Sequence, residues 1–201
     1  MALDVLPQKD KAEMKKHTVY LINGFGGPNW CFYSAASTYK KAGYDVRILK
    51  TVKFNTSKPH VVCDSVYEEI KNHSMENYSI VGYSYGGIIG VMILQKIIKA
   101  GYELPTSVVT ISSPIAAPTL LGAIFGYYDL IDLRQLARFP LGIVHNIVSK
   151  EDGLVHADLA RLKKATVHNC KFKKTSLVNH LLGYLPRVHQ YIIDNILISA
   201  A

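Results

Sequence analysis

Apolar residues recur along this chain with two different periods. Short runs rich in β-branched residues read as strands at Thr18–Ile22, Asp45–Val52, Tyr78–Gly82, Val108–Ile111, Gly142–Val148 and Thr166–Phe172. The segments between them set apolar residues three and four apart, the spacing of an amphipathic helix. Pro28 opens one such segment, which runs to Ala42 and is stopped by Gly43. Val61–His73 is a second and Gly86–Lys99 a third, with Gly101 behind it. Leu154–Lys164 and Leu185–Leu197 complete the set.

Strands that alternate with helices need crossover connections, so they pair mostly in parallel, and a parallel sheet is covered on both faces. The expected fold class is therefore α/β: a three-layer α/β/α sandwich around a mostly parallel sheet of about six strands. No repeat, low-complexity tract or linker divides the chain. Residues 18–201 are expected to form a single domain behind an N-terminal extension, residues 1–17.

One segment breaks the alternation. Pro114–Pro140 is long and apolar, yet Gly122, Gly126 and its prolines interrupt any long helix. A loop of that size is uncommon in a compact domain unless it forms a lid or a binding segment. On that reading 114–140 is a lid-like or pocket-lining insertion, and Leu120, Leu121, Ile124 and Phe125 form the substrate-binding wall. The plainer alternative is one more core helix.

Chemistry concentrates at Gly82–Tyr83–Ser84–Tyr85–Gly86–Gly87, between a strand and a helix. Glycines two before and two after a serine make room for a very tight strand-to-helix turn. Such a turn holds the serine in a strained conformation with its hydroxyl exposed at the sheet edge. An idle serine in a glycine-rich turn is the competing explanation, and the strand–turn–helix setting argues against it.

A serine needs a base to take its proton and a third group to orient that base. In a parallel α/β sheet these come from the carboxyl ends of other strands. Asp152 follows the strand ending at Val148, and His180 follows the last strand. The other histidines are expected to be surface or satisfied core residues. His17, His60 and His73 flank elements, His145 and His168 lie inside strands, and His156 and His189 lie on helices. No spacing resembles a metal set, so no metal is expected.

Negative charge developing on a carbonyl oxygen needs two backbone N–H groups. One belongs to the residue after the serine, Tyr85. The other is assigned to Phe25, in the glycine-rich loop Asn23–Gly24–Phe25–Gly26–Gly27 after the first strand. That loop also invites a dinucleotide-binding reading, which fails twice. Asn29 stands where the third glycine is needed, and Lys50–Thr51 where the ribose-binding acid is needed.

Composition narrows the setting. With 201 residues, 49% of them apolar, the chain can bury a sizeable core without disulfides. Three cysteines fit a reducing compartment, and the opening MALDVLPQKDKAEMKKH has no continuous apolar stretch, so a cytoplasmic location is expected. The net charge of +8 comes from scattered lysines and no nucleic-acid motif accompanies it. No nucleic-acid partner and no integral membrane segment are expected; the charge leaves room for weak attraction to anionic surfaces.

The stretches YLINGFGG (20–27), IVGYSYGG (80–87), IVSKEDGLV (147–155) and NHLLGYLPRVHQYI (179–192), with Ser, Asp and His in that order, resemble the α/β-hydrolase family, in particular its minimal lipases and esterases. The resemblance spans Thr18 to Leu197. It implies a six-stranded core, a Ser84–His180–Asp152 triad, an oxyanion hole from Phe25 and Tyr85, and no cofactor. Two positions depart from the family pattern: Asn23 replaces a common histidine, and Asn179 replaces the usual glycine before the catalytic histidine. The expected activity is that of a serine acyl hydrolase, carboxylesterase or lipase-like, acting on a small-molecule or lipid ester. A thioesterase, an acyltransferase or a non-catalytic ligand-binding protein of the same fold are the alternatives.

Overall fold

The computed structural model describes residues 16–49, 58–115, 141–155, 160, 165–171 and 177–197. Six strands form one sheet: β1 Thr18–Ile22, β2 Asp45–Ile48, β3 Tyr78–Tyr83, β4 Ser107–Ile111, β5 Val144–Val148 and β6 Thr166–Asn169. Their order is β2-β1-β3-β4-β5-β6, and all five pairings are parallel.

Three helices connect the first four strands: α1 Tyr33–Lys41, α2 Pro59–His73 and α3 Tyr85–Ala100. A short α4, Leu177–Leu181, and α5, Pro186–Ile192, follow the last strand. Alternation along each strand feeds both faces of the sheet. Tyr20, Ile22, Ile80 and Val108 pack with residues of α2 and α3. Val19, Leu21, Val81, Val109 and Ile147 pack with residues of α1 and α5. Complete burial of such a side chain stabilises the fold by about 1.5–3 kcal/mol. This double covering explains why the central strands β1, β3 and β4 read as largely apolar runs.

The sheet also fixes where a site can open. The chain leaves β1 toward α1, on one face, and leaves β3 toward α3, on the other. The two neighbouring connections therefore diverge at the carboxyl ends of β1 and β3. A crevice outside such a switch point is where ligands bind in sheets of this kind.

Element ends differ from the sequence pattern in several places. The helix expected from Pro28 begins as a 3-10 turn, Asn29–Phe32, before α1. A 3-10 turn, Leu141–Ile143, precedes β5, and Leu154 and Val155 are bends rather than the start of a helix. The final helix widens after Ile192 into a π-type turn, Ile193–Leu197. The strand expected from Asp45 ends at Ile48, although Leu49 N–H still bonds to the Leu21 carbonyl at 3.0 Å. Residues 1–15 of the expected extension, most of the 114–140 insertion and most of the expected 154–164 helix lie outside the described residues.

His17, His73, His145, His168 and His189 make contacts of a structural kind, and His156 lies outside the described residues. His17 meets the Ser79 hydroxyl at 2.9 Å, His73 meets that of Tyr20 at 2.9 Å, and His145 meets His168 at 3.1 Å. His189 is fully buried, with Nδ1 3.0 Å from the Tyr39 hydroxyl. Burial pushes its pKa down to about 4, and the Gly183 carbonyl offsets only part of that shift.

The unfolded chain therefore takes up this proton first, near pH ~6.5, and stability falls as the pH drops from there to about 4. The full loss from His189 amounts to about 3 kcal/mol. Burial also lowers the pKa of His17, His145 and His168, which add to the same trend. Urea unfolding at pH 7 and pH 5 should show this loss, and His189→Gln should shrink it. An unchanged pH dependence in that variant would show that His189 is not its source.

Candidate functional site

Ser84 stands between the end of β3 and the start of α3 with φ 52° and ψ −118°. A non-glycine residue held there stores about 1–3 kcal/mol of strain, so its surroundings must impose it. They do so through backbone: Ser84 N–H bonds to the Ile111 carbonyl at 2.7 Å, and Gly87 N–H bonds back to the Ser84 carbonyl at 3.1 Å. The flanking glycines are required by contact. A Cβ on Gly82 would lie 2.5 Å from the Gly87 nitrogen.

Asp152 leaves the carboxyl end of β5 in a tight turn. The Ser149 hydroxyl donates to Glu151 Oε2 at 2.7 Å and accepts from Glu151 N–H at 3.1 Å. Asp152 Oδ1 accepts the N–H groups of Leu154 and Val155, each at 2.9 Å. Its second oxygen, Oδ2, lies 2.9 Å from His180 Nδ1. Burial alone would raise the pKa of this carboxyl. The hydrogen bonds from His180, Val155 and Leu154 outweigh that and hold it below its ordinary value.

His180 lies on α4, a five-residue helix that the sequence pattern missed. Its Nε2 is 3.0 Å from Ser84 Oγ. Three side chains separated by 28 and 96 residues thus form one hydrogen-bonded line, Ser84–His180–Asp152. Asp152 and His180 are 4% and 5% exposed, so water competes little for either bond.

Asn179, the residue that departs from the family pattern, has a position of its own here. Its side-chain amide donates to the Glu151 carbonyl at 2.8 Å. Residues 179 and 180 therefore bond to residues 151 and 152, two parallel ties between α4 and the acid turn.

The loop after β1 runs beside the serine. A Cβ on Gly24 would lie 3.0 Å from the Tyr83 ring and 3.3 Å from Ser84 Cβ. The loop closes with Gly27 N–H bonded to the Gly24 carbonyl at 3.1 Å. Phe25, half exposed, sets its ring edge-on to Tyr85, with centroids 6.0 Å apart. Phe25, on the loop after β1, thus meets Tyr85, the residue that follows Ser84. Asn23, the other departure, is buried and donates through Nδ2 to Asn29 Oδ1 at 3.1 Å, tying the loop to the 3-10 turn.

Leu120, Leu121, Ile124 and Phe125, the expected acyl-binding wall, lie outside the described residues. Sequence reasoning passed over Tyr83 and Tyr184, whose ring centroids lie 4.1 Å apart, with Tyr83 against the His180 ring. The alternation of β3 was the available signal, since it sends Tyr83 inward beside Val81. Among the described residues, no group of three or more His, Cys, Asp or Glu is placed to hold a metal ion. No described helix is long and apolar enough to cross a membrane.

No protein-family model matches the sequence, and a comparison with curated proteins returns no match. Solved structures do match. The ydeN gene product of B. subtilis superposes with a TM-score of 0.68 at 15% identity, covering 92% of this chain and 100% of its own. A lipase-esterase related protein from Clostridium acetobutylicum gives 0.64 at 16% identity, covering 90% and 96%. The type II thioesterase BorB from the borrelidin biosynthetic cluster gives 0.65 at 12% identity, covering 91% and 92%. At such identities the likeness is one of fold.

Proposed function

From the α/β-hydrolase fold of this chain and the line of polar atoms at its switch point, we infer that it is a serine acyl hydrolase cleaving carboxylic esters. The observation that carries this reading is the contact sequence Ser84 Oγ, His180 Nε2, His180 Nδ1, Asp152 Oδ2, with steps of 3.0 and 2.9 Å. Ser84 Oγ attacks the ester carbonyl while His180 Nε2 accepts its proton. The N–H groups of Phe25 and Tyr85 bind the oxyanion. His180 then protonates the departing alcohol, leaving an acyl group on Ser84. Water, deprotonated by the same nitrogen, releases the acid and restores the serine. Asp152 stays ionised throughout and stabilises the imidazolium; its lowered pKa supports that role.

A thioester in place of the ester is the second reading, favoured by the likeness in fold to the type II thioesterase BorB. The triad chemistry is the same and only the leaving group differs. Cys31, Cys63 and Cys170 are all free thiols, which favours a reducing, cytoplasmic setting.

A fluorophosphonate probe tests the reading. One equivalent should attach to the protein, seen as a single mass increment, and Ser84→Ala should abolish it. Labelling that survives Ser84→Ala would remove the assignment. Rates on p-nitrophenyl acetate and on an acetyl thioester then separate the two substrate classes.

A further inference from the structure

His180 is held on a helix of five residues, Leu177–Leu181. A helix that short is not stable by itself, and its last carbonyls have no partner within it. Something outside α4 must therefore fix the imidazole over Ser84. The Asn179–Glu151 bond ties α4 to the acid turn but not to the serine.

The tie to the serine comes from the residue that precedes it. Tyr83 ends β3, and its hydroxyl donates to the His180 carbonyl at 2.6 Å. Its ring lies against the His180 imidazole, with centroids 5.1 Å apart, and against Tyr184 at 4.1 Å. Two glycines make space for that ring. A Cβ on Gly183 would come within 2.8 Å of it, and one on Gly24 within 3.0 Å. Tyr184 carries the contact onward, because its hydroxyl is hydrogen-bonded to the backbone of Gly24 in the loop that bears Phe25.

We propose that Tyr83 is a positioning residue: its phenol locks the backbone of His180 to the strand that carries Ser84, and so sets the Oγ–Nε2 distance. The inference rests on the acyl-hydrolase reading above. A single buried side chain links the strand, the base and, through Tyr184, the oxyanion loop. Burial pushes the Tyr83 hydroxyl well above its ordinary pKa, so it remains a donor across the neutral range.

Tyr83→Phe keeps the ring and removes only the donor. The control is Tyr39→Phe, which deletes a buried phenolic hydroxyl from the same apolar cluster, but one facing His189. Four quantities should be measured on both variants and the unmodified protein: the rate of Ser84 labelling by a fluorophosphonate, kcat and KM on p-nitrophenyl acetate, and the melting temperature. Tyr83→Phe is expected to slow labelling and kcat by about ten-fold or more, since a misplacement near 1 Å can cost 10²-fold, with KM within about two-fold. Tyr39→Phe should lose comparable stability and no rate. Equal rates in Tyr83→Phe and the unmodified protein would overturn the proposal, as would an equal slowing in Tyr39→Phe. If the unmodified protein does not label at Ser84, the hydrolase reading itself falls and this inference with it.

Discussion

Asp152→Asn is expected to lower kcat on p-nitrophenyl acetate by on the order of 10⁴, the size of the same change in a serine protease. The fold should survive, because an amide oxygen can still accept Leu154 N–H and Val155 N–H where Oδ1 does now. The damage falls on the other arm of the side chain. An amide NH₂ in place of Oδ2 presents a donor to His180 Nδ1, so the imidazole must accept there and carry its proton on Nε2. That nitrogen then cannot take the proton of Ser84. Asn also supplies no negative charge to balance an imidazolium. Glu151→Gln is the control: its carboxylate faces the Ser149 hydroxyl, not His180, and the variant should keep near-normal turnover. Normal turnover in Asp152→Asn, or an equal loss in Glu151→Gln, would assign the orienting role elsewhere.

The middle of the sheet was legible because β1, β3 and β4 are buried on both faces, which leaves largely apolar runs such as Thr18–Ile22 and Tyr78–Tyr83 in the sequence. The turn at Ser84 was legible for a steric reason, since only glycine fits at positions 82 and 86. The parts that were not legible depend on long-range contact. α4 is too short to leave a periodic signal, and tertiary bonds from Tyr83 and Asn179 hold it. Asn179 looked like a weakness because a family pattern records the usual residue, not what an amide can reach once folded. Tyr83 carries no local signal of its role between Gly82 and Ser84. Its partner is a backbone carbonyl 97 residues away, which no local pattern encodes.

Gly86→Ala should destabilise the protein by more than about 3 kcal/mol, the upper end of what overpacking costs in a core that can relax. This site cannot relax in that way. A Cβ there would overlap the Ile22 carbonyl oxygen and lie 2.5 Å from that of Asn23, so the obstacle is backbone at the end of β1, not a side chain free to rotate. Gly90 lies four residues further along the same helix and provides the comparison. A Cβ at that position meets only Ile80 Cγ2 at 3.3 Å and Val108 Cγ1 at 3.8 Å, both ends of side chains. Alanine there also gains about 1 kcal/mol of helix propensity over glycine, so Gly90→Ala should fall within about 1 kcal/mol of the unmodified protein. Urea midpoints of the two variants measure the contrast directly. The functional consequence follows from which backbone is displaced. Ile22 and Asn23 lead into the loop that carries Phe25, so any fraction of Gly86→Ala that folds must move that loop away from Ser84. Such material should show a lowered kcat beyond its loss of stability, whereas Gly90→Ala should keep both. A Gly86→Ala protein as stable as Gly90→Ala would mean that β1 and α3 do not approach as closely as the elbow requires.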